Sequence, residues 1–375
     1  MSDFDVAEFQ LRLARAQQAM AEEKLDALLF CTEAEVRYFS GFRTLFWQSP
    51  TRPWFLIVPA RGAVIAVVPA IGADLMGKTW VRDIRTWSSP HASDDGVSLL
   101  TQALKGFARV GLPMGPESSL RMPLGDFEAL RAASDAAFVD CTQLVKRLRM
   151  VKSEAEIAIL RRICGIGSAA FGRAKDLFHA GQPLDQAFRA FKIALLQEGA
   201  EDVPYLVGAA GQGGYGDVIS PPSDAPLREG DVLMLDTGAT LRGYFCDFDR
   251  NFAIGRAAAT ACAAYEKLWL ATEAGLAAAR PGNSAAALFD AMHQVLGGGP
   301  SDVGRYGHGL GIQLTEWPSN VVHDRTILQP NMVMTLEPSL SYAGGKMMVH
   351  EENILITEAA PVLLTTRAAP ELPVI

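Results

Sequence analysis

The chain has 375 residues, of which 49% are hydrophobic and 20% charged, and its formal net charge at pH 7 is −8. This length accommodates two domains with substantial cores. The acidic balance argues against a general nucleic-acid or anionic-membrane binder, and without a run of about 18 uncharged apolar residues we expect no transmembrane helix. The N-terminal segment is amphipathic and acidic, unlike a secretory signal. Five cysteines without CxxC spacing indicate reduced thiols, so we expect a cytoplasmic protein.

The first part of the chain alternates helix and strand patterns. Apolar residues recur at helical spacing over residues 6–24, and a short apolar run, 25–31, predicts a buried strand. Two runs rich in β-branched residues, 54–60 and 63–71, are separated by Arg-Gly and predict a hairpin. Further expected elements are strands near 82–87 and 109–112 and a helix near 124–134. The pattern predicts an α/β domain over residues 1–148.

The second part begins with a helix-start signal. Ser153 and Glu156 stand at capping-box spacing before an apolar periodic run, and Gly181 is the expected end of that helix. A glycine-rich segment, 208–224, lacks the Lys-Ser/Thr of a phosphate-binding loop, so we expect an ordered loop beside an active site. The other expected elements are helices near 184–198, 257–280 and 284–296 and strands near 305–315, 332–338 and 346–358. An α+β domain is therefore expected over residues 149–375.

The stretch "LDTGATLRGYFCDFDR" holds three aspartates in what otherwise reads as two apolar strands. A hairpin that turns around Leu241 and Arg242 would bring its two halves together. It would place Asp236 opposite Asp247, and Asp249 would share the face of Asp247 because side chains alternate along a strand. Adjacent buried carboxylates repel each other unless a cation lies between them. The hairpin therefore predicts a metal site.

Three later segments supply further ligand types. His308 lies between glycines, where the backbone can approach a ligand closely, and Glu337 ends an apolar strand. Glu351 and Glu352 lie in a β-rich stretch. Carboxylate oxygens with one imidazole suit Mn²⁺, Fe²⁺, Co²⁺ or Zn²⁺, and two ions bridged by carboxylates activate water for hydrolysis near neutral pH. Taken singly, each residue has a simpler interpretation, such as an aspartate paired with a nearby arginine or a structural histidine. Together, residues so far apart in sequence favour a metal centre.

Four segments resemble, in order, the motifs of the pita-bread family, which includes prolidase, aminopeptidase P, methionine aminopeptidase and creatinase: "DTGATLRGYFCDFDRNF", "GHGLG", "MVMTLEP" and "HEENILITE". The resemblance implies a creatinase-type N-terminal α/β domain followed by a pita-bread catalytic domain. It also implies divalent metal ions, two in number, with the ligands Asp236, Asp247, His308, Glu337 and Glu351. Glu337 and His308 would be the catalytic residues, with Glu337 accepting a proton from water and returning it to the leaving nitrogen. A homodimer is implied, in which the N-terminal domain contributes to the partner's active site.

The chain also departs from the peptidases of that family. The loop before the hairpin holds no histidine, Thr315 stands where a histidine is usual, and Asp249 replaces the usual Thr or Ser. We predict a metal-dependent hydrolase that cleaves a C–N bond in a small molecule or short peptide, similar to an Xaa-Pro peptidase. The alternatives are a non-peptidase activity like that of creatinase, ectoine hydrolase or dimethylsulfoniopropionate lyase, and an inactive binding module. Asp249 has three candidate roles: a further metal ligand, a partner of Arg250, or a group that tunes a ligand.

A second unusual stretch, "RTLFWQSPTRPWF", holds two tryptophans, two arginines and two prolines. One interpretation is a rigid surface loop with stacked aromatic rings. The other is an active-site wall, lent to a neighbouring subunit. In that wall Arg43 and Arg52 would bind a substrate carboxylate, and Trp47 or Trp54 would pack on the apolar or cationic part of the substrate. Weaker candidates for substrate contact are Tyr215, Tyr306, Thr315 and His350.

Overall fold

The structure is a computed structural model that describes residues 3–49, 52–298, 304–342 and 344–375. The chain divides into two compact units, Met1–Arg149 and Met150–Ile375. Among the described residues, no helix is both long and apolar enough to cross a membrane. The cysteines are all free thiols, and the four buried ones are Cys31, Cys141, Cys164 and Cys246.

The first unit is built on a six-stranded mixed sheet. Its elements are α1 (Val6–Glu23), β1 (Ala27–Phe30), α2 (Glu33–Ser40), β2 (Phe55–Pro59), β3 (Ile65–Pro69), α3 (Ala73–Met76), β4 (Asp83–Trp87), α4 (Val97–Ala103), β5 (Arg109–Leu112), α5 (Leu124–Ala133), β6 (Ala137–Asp140) and α6 (Thr142–Met150). The strand order is β4-β3-β2-β1-β5-β6. The pairs β1–β2 and β2–β3 are antiparallel and the outer pairs are parallel. β1 and β2 are buried throughout and uninterruptedly apolar, as strands covered on both faces are.

Most predicted elements of this unit coincide with observed ones, and the expected α/β fold class is confirmed. The predicted hairpin is the antiparallel pair β2–β3. Helix α2 was not predicted from the sequence. Polar Glu33, Glu35 and Arg37 alternate with apolar or aromatic residues, and this period of two is typical of a strand rather than of a helix.

The second unit contains antiparallel sheets with helices packed against them. Its elements are α7 (Glu154–Gly172), α8 (Ala174–Leu177), α9 (Leu184–Gln197), β7 (Asp202–Gln212), β8 (Asp231–Leu241), β9 (Tyr244–Phe245), β10 (Phe248–Ala253), α10 (Ala259–Ala278), α11 (Ala285–Leu296), β11 (His308–Gly309), β12 (Glu316–Ser319), β13 (Val333–Leu336), β14 (Ser339–Tyr342), β15 (Lys346–Val349), β16 (Glu352–Leu355) and β17 (Val362–Leu363). One sheet has the order β10-β8-β7 with β9 paired to β8, and another has the order β12-β11-β13-β16-β17. β14 and β15 form a separate pair. The candidate site lies on the β10-β8-β7 sheet and the β12-β11-β13-β16-β17 sheet.

The capping box predicted at the start of α7 is present. Ser153 Oγ accepts from the Glu156 N–H at 3.2 Å, and the Glu156 carboxylate accepts from the Ser153 N–H at 2.9 Å. The predicted helix end at Gly181 is wrong, because α7 ends at Gly172. Arg173 has a ψ of 6°, which interrupts the helix before the short α8 begins.

Three further predictions in this unit need correction. The segment predicted as a loop, 208–224, begins as strand, because β7 runs to Gln212. Glycine makes this pairing possible, since a Cβ at Gly208 would lie 2.1 Å from the Met234 carbonyl oxygen. The predicted strand at 305–315 is reduced to the two residues of β11, and the predicted strand at 346–358 is divided into β15 and β16.

The hairpin that carries the aspartates has a different register from the predicted one. Arg242 and Gly243 have φ angles of 48° and 67° and form the two-residue turn between β8 and β9, a turn whose twist suits a β-hairpin. Asp236 is therefore opposite Asp249, and its predicted pairing with Asp247 is wrong. The predicted register is two residues away from the observed one. Because side chains alternate with period two, the predicted shared face is unaffected.

Candidate metal centre

Five side chains from separate segments come together in the second unit. The ligand atoms of Asp247, His308 and Glu337 lie within 4.8 Å of one another, and so do those of Asp236, Asp247 and Glu351. Asp247 belongs to both groups, so the two groups adjoin. These are the five residues that the sequence proposes as metal ligands, whereas Asp249 belongs to neither group.

The two sheets bring these residues together. Asp236 lies within β8, and Asp247 immediately precedes β10 on the same hairpin. In the other sheet Leu336 pairs with Glu352. Glu337 and Glu351 are the next residues outward from that pair, so both lie at the same end of β13–β16.

His308 is held by tight backbone packing on both sides. A Cβ at Gly307 would lie 2.3 Å from the Thr335 carbonyl oxygen, and one at Gly309 would lie 2.1 Å from the Trp317 carbonyl oxygen. The flanking glycines thus allow close approach of neighbouring strands. His308 Nδ1 donates to the Gly309 carbonyl at 2.9 Å, which directs Nε2 to Asp247 Oδ2 at 3.3 Å and Glu337 Oε1 at 3.1 Å. This tautomer presents the Nε2 lone pair to a metal.

Burial and mutual repulsion perturb the acidic groups strongly. Burial, followed by the charge of Glu337, raises the pKa of Asp236 from 3.8 to about 7. Burial and the neighbouring carboxylates also raise the pKa values of Asp247 and Glu351 well above the ordinary range. Burial opposes ionisation of Glu337 too, but His308 and the Thr335 hydroxyl hold its pKa below the ordinary value.

The residues fit divalent metal ions. Asp236 Oδ1 and Glu351 Oε2 are buried without a hydrogen-bond partner among the described residues. Such acceptors are costly unless a cation or a donor compensates them. Four carboxylates and one imidazole are a donor set for hard or borderline divalent ions. A divalent ion would compensate the orphaned oxygens and relieve the repulsion among the carboxylates.

Neighbouring side chains fix the backbone that carries the ligands. The Asn353 side chain accepts from the Asp247 N–H at 3.0 Å and donates to the Asp247 carbonyl. Glu352, which is 0% exposed, is bound by Arg250 and Arg367, each at 3.0 Å. Of the two adjacent glutamates, it is thus Glu351 that joins the ligand group, while Glu352 belongs to an internal ion-pair network.

The five candidate ligands line a cavity of about 290 Å³. Thr315, a predicted substrate contact, lies in its wall. Tyr205 and Arg305, two polar residues that the sequence patterns do not indicate, also line it. Arg305 stands three residues before His308 in the sequence, and this closeness to the histidine is the signal that indicates it. The remaining described wall is Val218, Ile219, Met234, Leu314, Ser339, Met347 and Val349.

The other proposed substrate contacts in this unit are buried outside that wall. The Tyr215 hydroxyl bonds to Asn251, and Tyr306 stacks on Phe289 with the ring centroids 4.8 Å apart. His350 Nδ1 bonds to the Thr272 hydroxyl at 3.0 Å, and burial lowers the pKa of His350 to about 3. The structure therefore does not bring Tyr215, Tyr306 or His350 to the cavity with Thr315.

The tryptophan-rich stretch forms a cluster within the first unit. Trp47 and Trp54 are buried with their ring centroids 6.0 Å apart. Arg52 lies over the Phe46 ring at 5.3 Å, and Arg43 pairs with Asp3 at 2.7 Å. The rings form a buried aromatic cluster with tilted and edge-on contacts, so the predicted surface loop with stacked rings is wrong in the stacking and in the exposure of the tryptophans. Substrate contact by Trp47, Arg52 or Trp54 stays a prediction.

The chain has an α/β unit followed by antiparallel sheets. Those sheets bring four carboxylates and an imidazole to adjoining ligand positions. This combination indicates a metal-dependent hydrolase. Residues 158–358 match the model of metallopeptidase family M24, and residues 12–151 match that of the creatinase/prolidase N-terminal domain. The chain belongs to metallopeptidase family M24. The predicted pita-bread resemblance and the predicted metal-dependent hydrolase are confirmed.

Similar proteins share nearly the full length of the chain. A probable dipeptidase PepE of Mycobacterium tuberculosis is 28% identical over 363 residues, which are 96% of this chain and 95% of that protein. An Xaa-Pro dipeptidase of Pyrococcus horikoshii is 26% identical over 354 residues, 92% of this chain and 94% of that protein. The crystal structure of dipeptidase PepE from Mycobacterium ulcerans has a TM-score of 0.85 and 27% identity, covering 99% of both chains. These relatives do not favour a non-peptidase activity.

Proposed function

We propose that this metallopeptidase hydrolyses Xaa-Pro dipeptides with two divalent metal ions held by Asp236, Asp247, His308, Glu337 and Glu351. The observation that carries the proposal is the pair of ligand groups that share Asp247 at a cavity of about 290 Å³. This volume lies at the lower end of the range for small-molecule sites, which favours a short substrate. The similarity to an Xaa-Pro dipeptidase of Pyrococcus horikoshii supports the choice of dipeptide.

Bound divalent ions polarise a carbonyl and lower the pKa of water, which supplies a nucleophile near neutral pH. Glu337 is the proposed base. Its lowered pKa keeps the carboxylate ionised, so that it can accept a proton and then return it to the leaving nitrogen. His308 Nε2 lies 3.1 Å from Glu337 Oε1, so the two groups would bind the same ion. The hydroxyls of Thr315 and Tyr205 in the cavity wall are proposed to bind polar groups of the substrate.

The donor set guides the choice of metal. Oxygen-rich sites favour Mn²⁺, and the single imidazole also accommodates Fe²⁺, Co²⁺ or Zn²⁺. Asp247 is common to both ligand groups and would therefore contribute to holding both ions.

Metal analysis combined with a substrate panel tests this function. Protein purified without chelators should carry about two ions per chain. It should cleave Leu-Pro and Gly-Pro, lose that activity after chelation, and regain it with Mn²⁺. Longer peptides and small N-acyl compounds complete the panel. Stoichiometric metal without dipeptide cleavage would refute the proposed substrate, and protein without metal would point to a binding module.

A cytoplasmic homodimer is part of the same proposal. Leu45 and Phe46, beside Trp47, are 77% and 36% exposed, and exposed apolar residues next to an aromatic cluster support a protein interface. Arg52 and Trp54 would belong to the segment offered to the partner's active site. Analytical ultracentrifugation should give twice the chain mass, and a monomer that retains full activity would contradict this part of the proposal.

A further inference from the structure

A buried chain of hydrogen bonds leads from the ligand groups to the glycine-rich segment after β7. Asp249, Asn251 and Tyr215 are each no more than 3% exposed. Asn251 Nδ2 donates to Asp249 Oδ2 at 2.6 Å, and the Tyr215 hydroxyl donates to Asn251 Oδ1 at 2.9 Å. Both ends of the Asn251 amide are therefore engaged, which fixes its orientation.

One end of this chain reaches the ligands. Asn251, which donates to the Asp249 carboxylate, also donates to the Val349 carbonyl, two residues before Glu351, and Asp249 lies opposite Asp236 across the hairpin. The Asp249 carboxylate thus accepts from an amide group that is itself held in place. Arg250 reaches the Asp249 carbonyl, at 2.7 Å, rather than its carboxylate. This geometry favours a supporting role for Asp249 over metal ligation or pairing with Arg250.

The other end ties together two segments of the cavity wall. The Tyr215 hydroxyl accepts from the Val349 N–H at 2.9 Å, and Asn251 Nδ2 also donates to the Val349 carbonyl at 2.7 Å. The Met347 N–H donates to the Tyr215 carbonyl at 2.7 Å. We use "apolar wall" for the four cavity-lining residues of these segments, Val218, Ile219, Met347 and Val349.

We propose that Asp249, Asn251 and Tyr215 are positioning residues that hold the apolar wall in place relative to Glu351. Asp249 fixes the orientation of Glu351 and thereby supports metal affinity. Tyr215 fixes the wall and thereby supports binding of an apolar substrate side chain. The second effect rests on the proposed dipeptidase function, whereas the first concerns metal binding alone.

Calorimetric titration of metal-free protein with Mn²⁺ tests the first effect. In D249N a neutral amide replaces the carboxylate that accepts from Asn251. We expect Mn²⁺ affinity to fall by about 10- to 100-fold, as when other partners of metal ligands are removed. The exchange variant D249N/N251D restores a bond between positions 249 and 251 with donor and acceptor reversed, and should recover part of that loss. D231N is the matched control, because Asp231 is a buried aspartate of β8 bonded to Gln212 and to the Arg228 N–H.

Two results of this titration would overturn the first effect. One is wild-type Mn²⁺ affinity in D249N. The other is an exchange variant as weak as D249N, which would indicate direct ligation by Asp249. If D249N does not fold, N251A breaks the same link from its other end and carries the same expectation of weakened Mn²⁺ binding.

Steady-state kinetics of Y215F test the second effect. The variant leaves the Val349 N–H and the Asn251 carbonyl without their partner. We expect the KM for Leu-Pro to rise about tenfold, with kcat and Mn²⁺ affinity near the wild-type values and a smaller rise for Gly-Pro. Y265F is the control, because the Tyr265 hydroxyl donates to the Ala369 carbonyl away from the cavity. Equal changes for both substrates, or an unchanged KM for Leu-Pro, would refute the role of Tyr215. If the wild type cleaves neither dipeptide, the proposed function fails while the Mn²⁺ titration still decides the role of Asp249.

Discussion

Metal binding should release protons, and the affinity for Mn²⁺ should fall as the pH is lowered. Asp236, Asp247 and Glu351 all have raised pKa values in the metal-free protein. Protons therefore occupy these carboxyl groups at pH values where ordinary carboxyls are ionised. A divalent ion must displace those protons, because only the carboxylate form is a good ligand.

The shift of Asp236 sets the scale of the effect. Its pKa moves from 3.8 to about 7. At about 1.4 kcal/mol per pKa unit, the cost of ionising Asp236 in the folded protein is roughly 4 kcal/mol, which corresponds to about a thousandfold in Mn²⁺ affinity. Because the folded-state pKa is raised, the contribution of Asp236 to metal-free stability is fully present below about pH 4 and is lost as the pH rises through about 7. Bound metal removes this loss. Stabilisation by metal should therefore grow with pH across that window.

Calorimetry in buffers of different ionisation enthalpy measures the released protons directly. At about pH 6 each chain should release at least one proton on binding Mn²⁺, and at about pH 8.5 it should release fewer. Thermal unfolding with and without Mn²⁺ should show a larger shift at the higher pH. The control D231N should behave as the wild type does. Equal affinities and no proton release at both pH values would refute the electrostatic account of the site.

Three other substitutions have definite expected outcomes. E337Q should lower kcat at least about 100-fold, the usual loss for an acid–base group, with an unchanged circular dichroism spectrum; near-normal turnover would rule Glu337 out as the base. G307A places a Cβ 2.3 Å from the Thr335 carbonyl oxygen at a residue with a φ of 123°. Urea unfolding should therefore show that the free energy of unfolding falls by about 1–3 kcal/mol. G304A is the control, because a Cβ at Gly304 would have no neighbour within 4 Å. E352A should cost about 3–5 kcal/mol by the same assay because it breaks buried ion pairs, whereas E229A, which removes an exposed pair at 3.9 Å, should cost less than about 1 kcal/mol.

The sequence predicts the grouping of the acidic residues better than it predicts their pairing. Side chains alternate along a strand wherever the turn lies, so the common face of Asp236 and Asp247 follows from the pattern alone. The register depends on the turn, and an Arg-Gly turn is a weaker signal than Asn-Gly. For that reason the predicted cross-strand neighbour of Asp236 is Asp247, whereas the observed neighbour is Asp249.

Tyr205 shows what sequence patterns omit. The glycines that follow Tyr205 are typical of a loop and hide the long strand β7, which places Tyr205 in the same cavity as the candidate metal ligands. Those glycines are needed because β7 and β8 approach so closely at Gly208. A pattern based on residue type cannot distinguish a glycine that allows a turn from a glycine that allows two strands to approach closely.

The distribution of thiols makes the protein suitable for site-specific labelling. Burial raises the pKa of Cys31 and of Cys246 to about 12 and also raises those of Cys141 and Cys164, so these sulfurs stay protonated. The thiolate is the form that reacts with maleimides. Cys262 is exposed, and at neutral pH a fluorophore should attach there alone. The unmodified protein thus supplies a single optical reporter at the start of α10.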